Sequence, residues 1–311
     1  MMEYLLLVIG FVLLIKGADF FVDGSSSVAK RLRVPSLIIG MTIVAMGTSL
    51  PECSVSISAA LAHNTGVAVG NAVGSNIFNL MVVCGVCALF CPLTVNKSTL
   101  RGEFPFSVLV AILLMILGWL GMSLGRLDGL VLLVFFAFFL GWMITSAIRN
   151  RQNTDSSEEE YKIRPIWQCV IFIIGGAAAI AVGGDFVVDS ASAIAKTFGM
   201  SQNLIGLTIV AFGTSLPELV TSIVAAKKQE VDMALGNVIG SNIFNILFVL
   251  GIAAAISPMA FHMENIIDII ALVAMSIIVL CFAWSKEKIE RLEGAVMLAI
   301  YVGYAVYICM R

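Results

Sequence analysis

Hydrophobic residues in this chain come in long unbroken runs, and polar residues are confined to short gaps between them. Ten apolar stretches stand out, at 3–22, 36–61, 66–90, 103–121, 126–148, 165–185, 202–226, 232–256, 264–284 and 290–309. Each is close to the roughly 20 residues that a helix needs to cross a bilayer core. The short alternating segments of a transmembrane barrel are absent. The pattern predicts an all-α polytopic membrane protein with ten transmembrane helices.

Composition agrees: of 311 residues, 60% are hydrophobic and only 12% charged. Soluble domains carry about 25% charged residues, so a soluble enzyme or nucleic-acid-binding module is excluded. The net charge of −2 says little, but the placement of basic residues says more. With the N-terminus outside, the inside loops hold Lys30, Arg31, Arg33, Lys97, Arg101, Arg149, Arg151, Lys162, Arg164, Lys227, Lys228, Lys286, Lys288 and Arg291. Outside segments hold only Arg126, Lys196 and Arg311, while Lys16 lies within the first span. That bias predicts both termini outside, in a multi-pass protein of the plasma (inner) membrane.

The same apolar pattern is written twice. Residues 40–57 read GMTIVAMGTSLPECSVSI and residues 206–223 read GLTIVAFGTSLPELVTSI, with 13 of 18 positions identical. GNAVGSNIFN at 70–79 returns as GNVIGSNIFN at 236–245. Both phrases recur at one constant offset, so that Glu52 maps to Glu218 and Asn79 to Asn245. GADFFVDGSSSVAK (17–30) matches GGDFVVDSASAIAK (183–196) at the same offset. The first span, having an internal counterpart, reads as structural and not as a signal peptide. The offset divides the chain into a first five-helix repeat at 1–148, a cytoplasmic linker at 149–164 and a second repeat at 165–311. Because each half has five spans, the second enters the membrane from the opposite side, which predicts two inverted repeats about a pseudo-two-fold axis. The run Glu158-Glu159-Glu160 belongs to the solvated linker. Cysteines 53, 84, 87, 91, 169, 281 and 309 read as small apolar packing residues. His63 and His262 read as ordinary residues of outside loops.

The repeated phrases carry candidate chemistry. Pro51 lacks an amide hydrogen and its ring clashes with the carbonyl of Gly47, so the helix must kink or break. Pro217 does the same in the second half, freeing carbonyls near Ala45–Thr48 and Ala211–Thr214. Lipid cannot satisfy such groups, so this backbone must face protein or a hydrated cavity. Freed carbonyls, the hydroxyls of Thr48, Ser49, Thr214 and Ser215, and the carboxylates of Glu52 and Glu218 make an all-oxygen set suited to hard cations. An isolated ionised carboxylate at the bilayer midplane costs roughly 2.5–3.5 kcal/mol on insertion scales. One Ca2+ cancels both charges, as do two Na+ or two protons. Those ions would therefore compete. In the second phrase, Ser75 and Asn79 share a helical face, with Ser241 and Asn245 in the second half. Asn76 points to another face, toward the neighbouring broken helix as a cap or hydrogen-bond partner. The duplicated pairs Asp19/Asp23 and Asp185/Asp189 sit near helix ends and read as interfacial.

GTSLPE followed about 20 residues later by GNxxGSNIFN, both repeated, resembles the two alpha-repeats of the cation/calcium antiporter superfamily, most of all its prokaryotic sodium/calcium exchanger branch. The resemblance covers essentially the whole chain. It implies ten helices, with helices 2, 3, 7 and 8 broken around the ions and helices 1 and 6 sliding across them. It implies the ligands Glu52, Glu218, Thr48, Ser49, Ser75, Asn79, Thr214, Ser215, Ser241 and Asn245, with the carbonyls of Ala45 and Ala211. Some relatives, including the potassium-dependent branch, carry aspartate where this chain has Asn245. With Asn79 and Asn245 both neutral, the acidic charge comes from the two glutamates alone.

The reading is a secondary antiporter exchanging Ca2+ for Na+ by alternating access at one midplane site, without a cofactor. A Ca2+/H+ antiporter is the nearest rival, since two protons neutralise the same carboxylates. A passive cation channel explains a polar cavity but not a site built twice in opposite orientation. An enzyme is disfavoured, because no HExxH or nucleophile-and-base arrangement lies within a span.

Overall fold

The computed structural model describes residues 2–150, 164–200, 209 and 211–310. They form helices α1 (Met2–Leu32), α2 (Ser36–Thr48), α3 (Leu50–Leu61), α4 (Gly66–Phe90), α5 (Glu103–Gly121) and α6 (Arg126–Asn150). After the linker come α7 (Ile166–Thr197), α8 (Leu216–Lys227), α9 (Val231–Ile256), α10 (Met263–Lys286) and α11 (Arg291–Met310). Among the described residues eight helices are long and apolar enough to cross a membrane, or nine if α2 and α3 count as one bent span. The protein is a multi-pass integral membrane protein. Of the expected span 202–226, residues 202–208 and 210 lie outside the described residues, as do linker residues 151–163.

The observed ends differ where the hydrophobic pattern is a poor guide. α1 and α7 run well past the expected 3–22 and 165–185, to Leu32 and Thr197. In α1 the extra turns carry Asp23 and Ser26, which hydropathy excludes but which have partners: Asp23 pairs with Lys228, and Ser26 Oγ donates to Glu230. The resemblance implies breaks in helices 3 and 8, and the structure corrects this. α4 and α9 are continuous and instead widen into π-helical turns at Asn79–Val83 and Asn245–Leu250. Neither helix contains proline, so nothing forces a break, and a π turn keeps the chain helical.

Two compact units form, each drawing on both halves of the sequence. The first comprises Met1–Thr48 and Leu140–Asn237. In it α1 and α7 pack so closely at three glycines that even a Cβ would crowd the partner's backbone. A Cβ on Gly10 would lie 2.9 Å from the carbonyl oxygen of Gly183, on Gly17 3.0 Å from that of Gly176, and on Gly24 3.0 Å from that of Cys169. As one residue number rises the other falls by the same amount, so the helices are antiparallel. Without an apolar driving force in lipid, such small-residue contact is how helices gain packing. The contacts also exchange: replacing each residue by its repeat counterpart converts the Gly10–Gly183 pair into the Gly176–Gly17 pair. Leu14, Phe21, Val22, Ile180, Val187 and Met233 fill the core of this unit.

The second unit comprises Ser49–Phe139 and Val238–Arg311. Here α4 meets α11 through Gly85 and Gly294, each of which would place a Cβ within 3.0 Å of the other's carbonyl oxygen. Two short antiparallel ladders tie its loops: β1 (Leu93–Thr94) with β4 (Lys288–Ile289), and β2 (Ser123–Leu124) with β3 (Met259–Ala260). Each ladder joins two loops that the basic-residue bias assigns to one side of the membrane. His63 Nδ1 lies 3.2 Å from Ser257 Oγ, also linking two loops assigned to one side.

The duplication reaches the backbone. Among the described residues those with positive φ are Arg33, His63, Met122, Gly199, Gln229 and Glu287. They form three pairs, Arg33 with Gly199, His63 with Gln229 and Met122 with Glu287. The first two pairs are exact repeat counterparts, and the third misses by a single position. Left-handed residues close helices, so the helix ends are repeated as well as the helices.

Candidate cation sites around Glu52 and Glu218

The proline that stops α2 also starts α3. The two helices are bent by 49° around Ser49, which caps α3 with φ −84° and ψ 12° and is followed by Leu50 and Pro51. In the first turn of a helix a missing amide hydrogen costs nothing. Glu52 therefore occupies a helix N-terminus, where unpaired amides and the macrodipole favour negative charge by ~0.3–1 kcal/mol, or ~2 kcal/mol in partly buried geometry. Ser215, Pro217 and Glu218 repeat the arrangement at the start of α8. Both carboxylates are fully buried.

In the second unit neutral side chains bond Glu52. Ser75 Oγ donates to Glu52 Oε1 at 3.3 Å, which brings two of the expected ligands together. Asn71 Nδ2 donates to the main-chain carbonyl of Glu52 at 3.1 Å and to Ser56 Oγ at 2.9 Å. Ser49, Asn79, Ser241 and Asn245 are buried in the same unit. Asn76 bonds the neighbouring helix, its Nδ2 donating to the Asn242 carbonyl at 3.0 Å, while Asn242 Nδ2 donates to the Asn76 carbonyl at 3.2 Å.

In the first unit the equivalent frame holds Glu218. Asn237 Nδ2 donates to the Glu218 carbonyl at 3.4 Å and to Ser222 Oγ at 2.9 Å. Thr48 Oγ1 lies 3.0 Å from Asn237 Oδ1, 3.2 Å from the Val44 carbonyl and 3.3 Å from that of Ala45. Its single proton serves one of these at a time, so the Ala45 carbonyl, expected to be freed by the break, competes for Thr48 with Val44 and Asn237. Ser215 is buried and Thr214 partly so. Ala211 begins the short helix Ala211–Thr214.

Asn71 and Asn237, with Ser56 and Ser222, are the residues that sequence reasoning missed. Their signal was present: both pairs are repeat counterparts, and the asparagines open the repeated GN phrase. They brace the helix turn carrying the acid and are not themselves obvious ligands.

The donor chemistry suits a hard cation as substrate. Asn79 Oδ1, Asn245 Oδ1, Ser241 Oγ and Thr221 Oγ1 are buried without a hydrogen-bond partner among the described residues. Each such group costs about 1–3 kcal/mol, and a coordinated cation would offset that cost. Among the described residues no three His, Cys, Asp or Glu side chains are placed to hold a metal ion by themselves. A cation would therefore be held by few charges and many neutral oxygens, a set suited to Ca2+ and Na+ and poor for transition metals.

Comparison with known proteins points the same way. The family model described as "Sodium/calcium exchanger protein" matches residues 2–145 and 168–310. Inner membrane protein YrbG of Escherichia coli is 42% identical over 259 residues, covering 81% of this chain and 79% of its own. Sodium/calcium exchanger MaX1 of Methanosarcina acetivorans is 33% identical over 341 residues, covering 98% and 97%. A structure of the sodium-calcium exchanger NCX_Mj, soaked with 2.5 mM Na+ and 0.1 mM Ca2+, superposes with a TM-score of 0.85 at 34% identity, covering 97% of each chain. Matched along nearly its whole length, the chain belongs to the sodium/calcium exchanger family.

Proposed function

We propose that this protein is a secondary antiporter that exchanges Ca2+ for Na+ by alternating access, with ten helices in two inverted five-helix repeats. The observation that carries the reading is the duplicated oxygen set. A fully buried glutamate starts a helix in each repeat, and an asparagine and a serine brace the turn that carries it. The exchanged glycine contacts of α1 and α7 support the inverted repeat, and the names of the relatives support the ion pair.

Glu52 and Glu218 supply a formal −2, matched by one Ca2+ or by two Na+. Thr48, Ser49, Ser75, Asn79, Thr214, Ser215, Ser241 and Asn245, with the Ala45 and Ala211 carbonyls, supply neutral oxygen. Sealing an unneutralised carboxylate away from water is costly. The conformational exchange therefore proceeds with ions bound and stalls without them, which couples the two fluxes.

The test is 45Ca2+ uptake into proteoliposomes of the purified protein, driven in turn by outward Na+, K+ and H+ gradients. Uptake that follows the Na+ gradient alone is expected. Uptake driven equally by a proton gradient would replace this reading with Ca2+/H+ exchange, and uptake indifferent to every counter-gradient would replace it with a channel.

A further inference from the structure

The side-chain amide of Asn245 can turn either its oxygen or its nitrogen toward a cation, and only the oxygen can bind one. Heavy-atom positions alone do not distinguish the two ends of an amide; the hydrogen-bond network does. Here the network begins at an atom with no ambiguity. The main-chain carbonyl of Asn242 can only accept, so the Asn76 atom 3.0 Å from it is Nδ2. The other end of that amide, Asn76 Oδ1, can only accept in turn. The Asn245 atom 3.1 Å from it is therefore Nδ2, the donor. That leaves Asn245 Oδ1 buried with no hydrogen-bond partner among the described residues. The symmetry-related contact is not made: Asn242 Oδ1 and both polar atoms of the Asn79 side chain have no partner there.

We propose that Asn76 is a positioning residue that fixes Asn245 with its oxygen presented for coordination. This rests on the reading of Asn245 as an ion ligand. The fixed amide also selects what position 245 can hold. An ionised aspartate there would set a carboxylate oxygen against Asn76 Oδ1, two acceptors with no proton between them. Turning Asn76 over to donate instead would place its oxygen against the Asn242 carbonyl and lose that bond too. The asparagine at 245 and the orientation of Asn76 therefore depend on each other, and neutrality at 245 is built into the helix pair.

The experiment measures KM for Ca2+ and maximal rate of Na+-driven 45Ca2+ flux in proteoliposomes. The variants are Asn76→Ala, Asn245→Ala, the double variant and Asn242→Ala. Loss of one oriented ligand corresponds to a rise of about tenfold in KM. Asn76→Ala and Asn245→Ala should each show that rise with maximal rate within about twofold of wild type. The double variant should be no worse than Asn245→Ala alone, because both changes remove the same interaction. Asn242→Ala removes the reciprocal bond to the Asn76 carbonyl but keeps the main-chain oxygen that orients Asn76. Its KM should stay within about twofold of wild type. If Asn76→Ala is not recovered as a monodisperse protein, Asn76→Ser takes its place. One hydroxyl proton cannot fix both neighbours, so the same rise is expected. An unchanged KM in the Asn76 variant beside a raised one in Asn245→Ala overturns the positioning role, as do effects that multiply in the double variant. An unchanged KM in Asn245→Ala overturns the ligand reading itself, and the positioning role falls with it.

Discussion

Lys228 Nζ lies 2.5 Å from Asp23 Oδ1, joining the turn after α8 to the C-terminal part of α1. The same ammonium reaches Asp19 Oδ1 at 2.5 Å and the Asp19 carbonyl at 2.9 Å, while Arg164 reaches Asp23 at 3.4 Å. Next to it Glu230 pairs with Lys30 at 3.4 Å and accepts from Ser36 at 2.8 Å. The first-repeat counterparts of Lys228 and Glu230 are Ala62 and Asn64, both neutral. Among the described residues Asp185 and Asp189, the counterparts of Asp19 and Asp23, form no ion pair. Among the described residues the tether is therefore made on one side of the repeat and not on the other. Lys228→Met should lower stability by about 1–2 kcal/mol, since exposed pairs are worth little but one cation here serves three acceptors. Thermal denaturation in detergent at low and at high salt checks this: screening should shrink the difference between wild type and variant.

Glu52→Gln and Glu218→Gln each remove one of the two acids while keeping shape. On the proposed mechanism a remaining charge of −1 can neither match Ca2+ nor be balanced by two Na+. Na+-driven 45Ca2+ flux should fall at least about a hundredfold in either variant, as expected when a buried, ion-pairing charge worth about 3 kcal/mol or more is lost. Both variants should still elute as monodisperse protein, because a buried neutral amide is easier to accommodate than a buried charge. Full flux from either would remove that residue from the mechanism.

The bracing asparagines make a separate prediction. Asn71→Ala and Asn237→Ala each delete two donated bonds and leave the main-chain carbonyl of the adjoining glutamate without that donor. A loss of about 1–3 kcal/mol in stability is expected for each. Asn237→Ala should also change the surroundings of Thr48, which shares its Oδ1, whereas replacing Asn71 should leave Thr48 alone. A double variant with Thr48→Ala separates the cases: the effects should be non-additive with Asn237→Ala and additive with Asn71→Ala.

Glycine is required where helix backbones touch and dispensable where they do not. Gly17→Leu should abolish recovery of folded protein, since even a Cβ there meets the Gly176 carbonyl, the Ile180 amide and Ala179 at 3.0 Å. Gly141 has nothing within 4 Å of an added Cβ. Gly141→Ala should be neutral or stabilise by up to ~1 kcal/mol through helix propensity. Size-exclusion recovery and melting temperature distinguish the two.

Much of this was legible in the sequence because membrane helices are written in hydropathy and the repeat supplied an internal control. The bent span at 36–61 and the helix starts that carry the two buried glutamates follow from Pro51 and Pro217. Three features were not legible. Helix ends past Asp19 and Asp23 depend on Lys228, a partner in the other half of the chain that no local pattern encodes. The π turns at Asn79 and Asn245 have no proline or glycine signature of their own. The bracing role of Asn71 and Asn237 was hidden because an asparagine that bonds a carbonyl and one that ligates an ion look alike as letters. What the proline does was also only half visible: the break was expected, but the fresh helix N-terminus it gives each glutamate was not.

The glycine seam between α1 and α7 has a mechanical consequence. Two helices separated by a layer of side chains can shear, because rotamers yield. Here that layer is missing at Gly10, Gly17 and Gly24, where backbone rests on backbone. To slip, one helix would have to ride up over the other's carbonyls, so the pair is yoked. The tether at Lys228 therefore holds a helix whose backbone is in direct contact with α7.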